Sequence, residues 1–321
     1  MNFVKDIGKM IVEKKAIQKD NYYNKLAYYD SARQGLEAIL GKLKEEDFIL
    51  YLPAYIGWSS REGSGIYDPV FSSKIQHVFY ALDRQLNIQL ADLEELLKKD
   101  KRKKAFLLVD YFGFIDKNYN QIIERLKEYE VLIIEDAAHA FFTDYVDHNC
   151  GKRTDIVLYS LHKMFPFAKG GMIKINNKYW NKIASFEGKC PINPFEYKLD
   201  EIADCRKRNA MAIQKKLSHN PCFTFIRPID QYLNCTPQSV PIMIKNYDKS
   251  NLYFRMNELG YGVVSLYHTM IEPVRKNFPQ AIEIGNCMLN LPVHQDIGID
   301  EIGKMCEALE QLCSDNSQSV K

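Results

Sequence analysis

The sequence predicts an α/β fold, a mostly parallel sheet sandwiched by helices, followed by a smaller C-terminal α+β domain. Three observations carry this. Short apolar runs rich in branched and aromatic residues recur at FILYL (48–52), HVFYAL (77–82), AFLLV (105–109), VLIIE (131–135), DIVLY (155–159) and GMIKI (171–175). Stretches of helical period lie between several of them. After Ile175 the alternation stops and longer charged helices take over.

Taken in order, MNFVKDIGKMIVEKKAIQKD alternates charged and apolar residues without a continuous apolar core, which predicts an amphipathic helical segment over 1–25 rather than a secretion signal. ARQGLEAILGKL places Leu36, Ile39, Leu40 and Leu43 on one helix face, and NYNQIIERLKEYE does the same with Ile122, Ile123 and Leu126. The unbroken apolar character of AFLLV and VLIIE marks central parallel strands. These elements define a large domain over 26–180. From 181 to 321 come a long charged helix at 199–218, a strand at VPIMI (240–244), a helix at about 248–259, a strand-like GVVSLY (262–267) and a closing amphipathic helix at 301–313.

Composition narrows the function. The 321 residues are 46% hydrophobic and 26% charged, with a net charge of +2, which gives no reason to expect nucleic acid or an anionic membrane as partner. The run KKDKRKK (98–104) reads as a solvated helix end and loop. No apolar run reaches the length of a membrane span. The eight cysteines form no CxxC pair and no metal-ligand spacing, as expected of reduced thiols in a cytoplasmic protein.

In open parallel sheets, ligands bind beyond the C-terminal strand ends. One sheet edge then gathers Tyr55, Trp58, Asp110, Asp136, His139, Ser160, His162 and Lys163. DSARQG adds a capping serine, Ser31, at a helix N-terminus, a natural phosphate site. Lys163 faces what reads as an interior corner, where an ammonium is costly unless something uses it. Singly, each residue has a plain structural reading: a cap, a core aromatic, a hydrogen-bonded histidine, a lysine reaching for solvent. Together, a lysine, an acid, an aromatic ring and a phosphate cradle match the needs of pyridoxal phosphate: an amine for the aldehyde, a carboxylate for the ring nitrogen, a stacking ring and an anion site.

These motifs resemble the DegT/StrS class of nucleotide-sugar aminotransferases, fold type I pyridoxal-phosphate enzymes. EDAAHA (135–140) is similar to the family's aspartate motif, and YSLHK…KGGMI to its serine–lysine–Gly-Gly stretch. DSARQGLEAIL resembles the phosphate turn, and segments 79–97 and 289–305 also look like family segments. The resemblance implies that Lys163 is the Schiff-base lysine, with Lys169 its rival, that Asp136 pairs with the pyridine nitrogen and that His139 contacts the ring face or phenolic oxygen. It places Ser31, Ala32, Arg33 and Ser160 at the phosphate, and Trp58, or else Tyr55, on the ring. Three features depart from the family: Lys163 follows Ser160 by only three positions, Arg33 stands where a hydroxyl residue is usual, and 189–209 is short and different.

The function so implied is amino transfer from glutamate to a keto sugar of a nucleotide-sugar, in surface polysaccharide or related biosynthesis, by a cytoplasmic homodimer. The alternatives are a sugar dehydratase on the same cofactor, which His162 beside Lys163 brings to mind, and a catalytically lapsed binding or regulatory protein.

Overall fold

The computed structural model describes residues 25–61, 63–184, 193–228, 230–245 and 247–315. The helical segment expected over 1–25 lies, but for Lys25, outside them, as does the start of the divergent 189–209 segment. Seven strands form the main sheet: β1 (Lys25–Tyr29), β2 (Phe48–Pro53), β3 (His77–Tyr80), β4 (Lys103–Val109), β5 (Leu132–Asp136), β6 (Ile156–Ser160) and β7 (Gly171–Ile175). Their order is β1-β7-β6-β5-β4-β2-β3. Pairings from β3 through β6 are parallel, whereas β7 runs antiparallel to both β6 and β1. A second sheet, β10-β9-β8, is antiparallel and built from β8 (Phe223–Phe225), β9 (Ser239–Ile244) and β10 (Met288–Pro292).

The helix Ala32–Glu45 shows how the sequence pattern is converted into packing. Leu36, Ile39, Leu40 and Leu43 are all buried against one sheet face. Each contributes about 1.5–3 kcal/mol through area removed from water. Helix Tyr119–Glu128 buries Ile122, Ile123 and Leu126 on the opposite face. The first face shares its core with the second sheet and with helices Leu199–Leu217, Lys249–Glu258 and Ile299–Asp315.

Two elements differ from the sequence expectation. The segment GVVSLY is not a strand: its only ladder contact among the described residues is the bridge Val264–Asn290, and Tyr267 turns the chain with φ 59°. Conversely, β1 escapes sequence reading because it is five residues long, and only Ala27 and Tyr29 face inward.

This topology assembles the site. β1 runs parallel to β6, so Tyr29 and Ser160 finish at the same edge, and Gly171, which starts β7, is registered with both. The ends of β2, β4 and β5 reach that edge too.

Candidate active site

A cavity of about 1250 Å³ opens at this edge, lined by Ser31, Ala32, Arg33, Trp58, Asp136, His139, Ser160 and Lys163 among others. Eight of the nine cofactor-site residues expected from the sequence therefore face one space. Tyr55 does not line it: the ring is 1% exposed and lies edge-on to Tyr111 at 5.4 Å. Trp58 stands at the mouth, 44% exposed.

Ser31 caps its helix, accepting from the Gln34 N–H at 3.3 Å. The first turn of any helix presents N–H groups without partners inside the helix, and the dipole adds partial positive charge. Gly171 packs directly against this turn. A Cβ there would lie 2.2 Å from the Ser31 carbonyl carbon and 2.3 Å from the Ala32 nitrogen, so only glycine lets β7 come this close. Ser160, 4% exposed, adds a hydroxyl 3.3 Å from His162 Nδ1. Arg33 lies on the same side, its guanidinium 3.6 Å from the Asp68 carboxylate.

Asp136 ends β5. Its Oδ1 accepts from the Ala138 N–H at 3.0 Å. Burial raises its pKa, and the charge of Lys163 pulls it back. A second cation set against this carboxyl stabilises its ionised form, which is what a protonated ring nitrogen provides.

His139 is held by an unusual turn. Phe112, three residues beyond the end of β4, has φ 60° and ψ 15°, a conformation costing a bulky residue about 1–3 kcal/mol. Gly113 follows at φ 95°, where a Cβ would lie 2.6 Å from the Thr236 carbonyl oxygen. The turn is buried and aims the Phe112 N–H at His139 Nδ1, 3.2 Å away. Burial, with Lys163 and His162 nearby, drives the His139 pKa well down, so the ring is neutral. Because Nδ1 is an acceptor, the hydrogen of the neutral ring sits on Nε2.

Lys163 Nζ lies 3.0 Å from that Nε2. It is not buried, contrary to the interior corner read from the sequence; the side chain is exposed to the open cavity. The rival Lys169 points elsewhere, paired with Asp30 at 2.6 Å and largely exposed.

Residues outside the sequence expectation complete the walls. Tyr267 comes from the segment misread as a strand, and its ring fills the space a Gly57 side chain would occupy: a Cβ on Gly57 would lie 2.9 Å from it. Lys249, Ser265 and Asn286 also line the cavity. Asp110 follows the last residue of β4 and lines the cavity, 1% exposed. A lysine opening a surface helix carries no sequence signal that distinguishes a cavity wall from solvent.

The pieces fit pyridoxal phosphate: a phosphate turn with a glycine-dependent approach, a buried acid short of positive charge, and an amine between them. Among known proteins, a UDP-4-amino-4,6-dideoxy-N-acetyl-beta-L-altrosamine transaminase of Campylobacter jejuni serotype O:2 is 24% identical over 255 residues, covering 67% of each chain. Helicobacter pylori PseC, an aminotransferase involved in the biosynthesis of pseudoaminic acid, superposes with a TM-score of 0.69 at 16% identity, covering 89% of this chain and 86% of its own. The E. coli GDP-4-keto-6-deoxy-D-mannose-3-dehydratase with bound hydrated PLP gives 0.70 at 18% identity, covering 89% and 87%. Residues 67–188, the segment that carries Asp136, His139, Ser160 and Lys163, match the model of the DegT/DnrJ/EryC1/StrS aminotransferase family.

Proposed function

We propose that this protein transfers an amino group from glutamate to a keto sugar carried on a nucleotide, in surface polysaccharide or related sugar biosynthesis, as a cytoplasmic homodimer. The observation that carries the reading is the convergence of Asp136, His139 and Lys163 with the Ser31 helix end in one cavity. The transaminase name of the Campylobacter relative supports the substrate class.

Bound there, pyridoxal phosphate supplies an electrophilic aldehyde and a protonated ring that draws electrons from the reacting carbon. The chain's own residues do the rest. The helix turn at Ser31–Arg33 and the Ser160 hydroxyl hold the phosphate. Asp136 keeps the ring nitrogen protonated. His139, fixed by the Phe112 N–H, presents Nε2–H toward Lys163. Lys163 Nζ takes the proton from the amine-bearing carbon of the donor and returns one on the reverse half. Trp58 covers the mouth of the cavity. The amine of Lys163 in this position favours amino transfer over the dehydratase reading.

The test is to add cofactor, reduce with borohydride and map the labelled peptide by mass. Label on Lys163, absent from Lys163→Ala, followed by a spectral change with glutamate in the unreduced enzyme, is the expected result. An unlabelled wild type overturns the reading. A labelled enzyme inert to every amino donor moves it to the lapsed binding protein.

A further inference from the structure

The cavity carries a cation that amino transfer as derived above does not use. Lys249 opens the helix Lys249–Glu258 and lines the same cavity as Lys163. Its Nζ donates to Ser265 Oγ at 2.9 Å and to the Gly285 carbonyl at 3.1 Å. Both partners are neutral, and among the described residues no carboxylate lies within ion-pair distance of it. An ammonium has three N–H donors, so these two fix its position and leave one for the cavity. Partial burial lowers its pKa, against the charges of Cys287 and Asp248. A cation held by two neutral acceptors and exposed to a cavity is incomplete without an anion.

The surroundings say what kind. Ser250 and His268 line the same cavity, and Arg61 faces the space from the loop after β2. Trp58 and Phe254 present exposed aromatic surface at the rim. We propose that Lys249, positioned by Ser265 and Gly285, anchors an oxyanion of the substrate away from the reacting carbon. This rests on the aminotransferase reading above. Two substrate groups share that chemistry: a carboxylate of the amino donor and the diphosphate of the sugar nucleotide.

The experiment uses the cofactor-loaded protein and the variants Lys249→Met, which keeps the stem, and Lys249→Arg, which keeps the charge. One arm measures KM and kcat for glutamate in the amine-forming half reaction from the change in spectrum. The other measures the Kd of UDP by calorimetry. Losing a charge-assisted hydrogen bond weakens binding by about 10-fold or more. That loss is expected in one arm only for Lys249→Met, in KM rather than kcat when it falls on glutamate, and partly restored in Lys249→Arg. Weakening of glutamate alone assigns the carboxylate; weakening of UDP alone assigns the diphosphate. If Lys249→Met does not fold, the same pattern is sought in Ser265→Ala, which releases the amine without removing it. Values within 2-fold of wild type in both arms overturn the inference and leave Lys249 a strut. A wild type that takes up no cofactor sinks the aminotransferase reading instead, so the two failures are distinct.

Discussion

The imidazole of His139 and the Nζ of Lys163 meet at 3.0 Å, and the backbone N–H of Phe112 fixes the ring from its other side. With Nδ1 accepting from Phe112 N–H, the ring turns Nε2 toward Lys163. The strained φ of Phe112 is what secures this orientation.

Removing the imidazole should show in the rate of cofactor capture. In His139→Phe, Lys163 Nζ loses the polar contact that positions it. One hydrogen bond of ordinary strength corresponds to about 3- to 10-fold slower capture. His139→Gln keeps a polar group and should stay nearer wild type. Stopped-flow absorbance reads this directly, and equal rates for wild type and His139→Phe would contradict it.

Asp136→Asn keeps the shape of the β5 end but removes the charge that sustains a protonated ring nitrogen. Cofactor uptake should persist, while the glutamate half reaction slows by about 10²-fold or more, the scale of losing a preorganised electrostatic partner. Single-turnover spectra separate the two effects.

Gly171→Ala tests the phosphate cradle. Its Cβ would sit at 2.2 Å from backbone, and backbone cannot swing aside as a side-chain tip can. Either β7 or the helix N-terminus must shift, at about 1–3 kcal/mol. Cofactor affinity, measured by equilibrium dialysis, should fall by about 10-fold or more on that scale, whereas Gly41→Ala, where nothing lies within 4 Å, should leave it unchanged.

Behind the active edge, Asp110 gives the chain a pH signature. No donor among the described residues reaches either carboxyl oxygen, and the Glu135 carboxylate and Cys150 thiol lie within 4.8 Å. Glu135 already accepts from Tyr119, Thr154 and Gly151. Burial, with the charges of Glu135, Asp136 and Asp144, pushes the Asp110 pKa well up, so Asp110 holds the proton. The folded state then binds a proton that the unfolded chain releases above its carboxylate pKa of about 4. The stabilisation is present below that pH and is lost as pH rises toward the folded pKa. Asp110→Asn removes the titration, so its Tm should fall less than wild type's between pH 5 and pH 8 in calorimetric scans.

Much of this was readable from residue order. Helical period placed Leu36, Ile39, Leu40 and Leu43 inward, and strand-end position singled out Asp136, His139, Ser160 and Lys163 without any coordinates, because a parallel sheet forces strand ends to one edge. What stayed hidden has physical reasons. Lys249 and Tyr267 reach the cavity through long-range packing of the second sheet, and no local pattern encodes that. Tyr55 and Trp58 stand as alternatives in the sequence because only two residues of loop separate a buried ring from an exposed one. The charges Asp110, Glu135, Asp144 and Lys174 look like solvated polar residues until the fold buries them together.

That last group yields the sharpest stability prediction. Lys174 lies in the middle of β7 and pairs with Asp144, both side chains 2% exposed, while the Tyr159 hydroxyl donates to the same carboxylate. The rings of Tyr145 and Tyr159 face the ammonium at 5.0 and 5.7 Å. Desolvating both charges is costly, and their attraction offsets that only while both are present. Lys174→Met alone strands a carboxylate in the core and should cost about 3–5 kcal/mol. Adding Asp144→Asn removes the stranded charge and should recover much of it, giving a large coupling energy in a double-mutant cycle from urea unfolding. Additive effects, or a single variant within ~1 kcal/mol of wild type, would mean that the pair is not closed in solution. Because Lys174 is three residues along β7 from Gly171, the single variant should also loosen the strand that braces the phosphate turn. Its cofactor affinity should fall with its stability and return with it in the double variant.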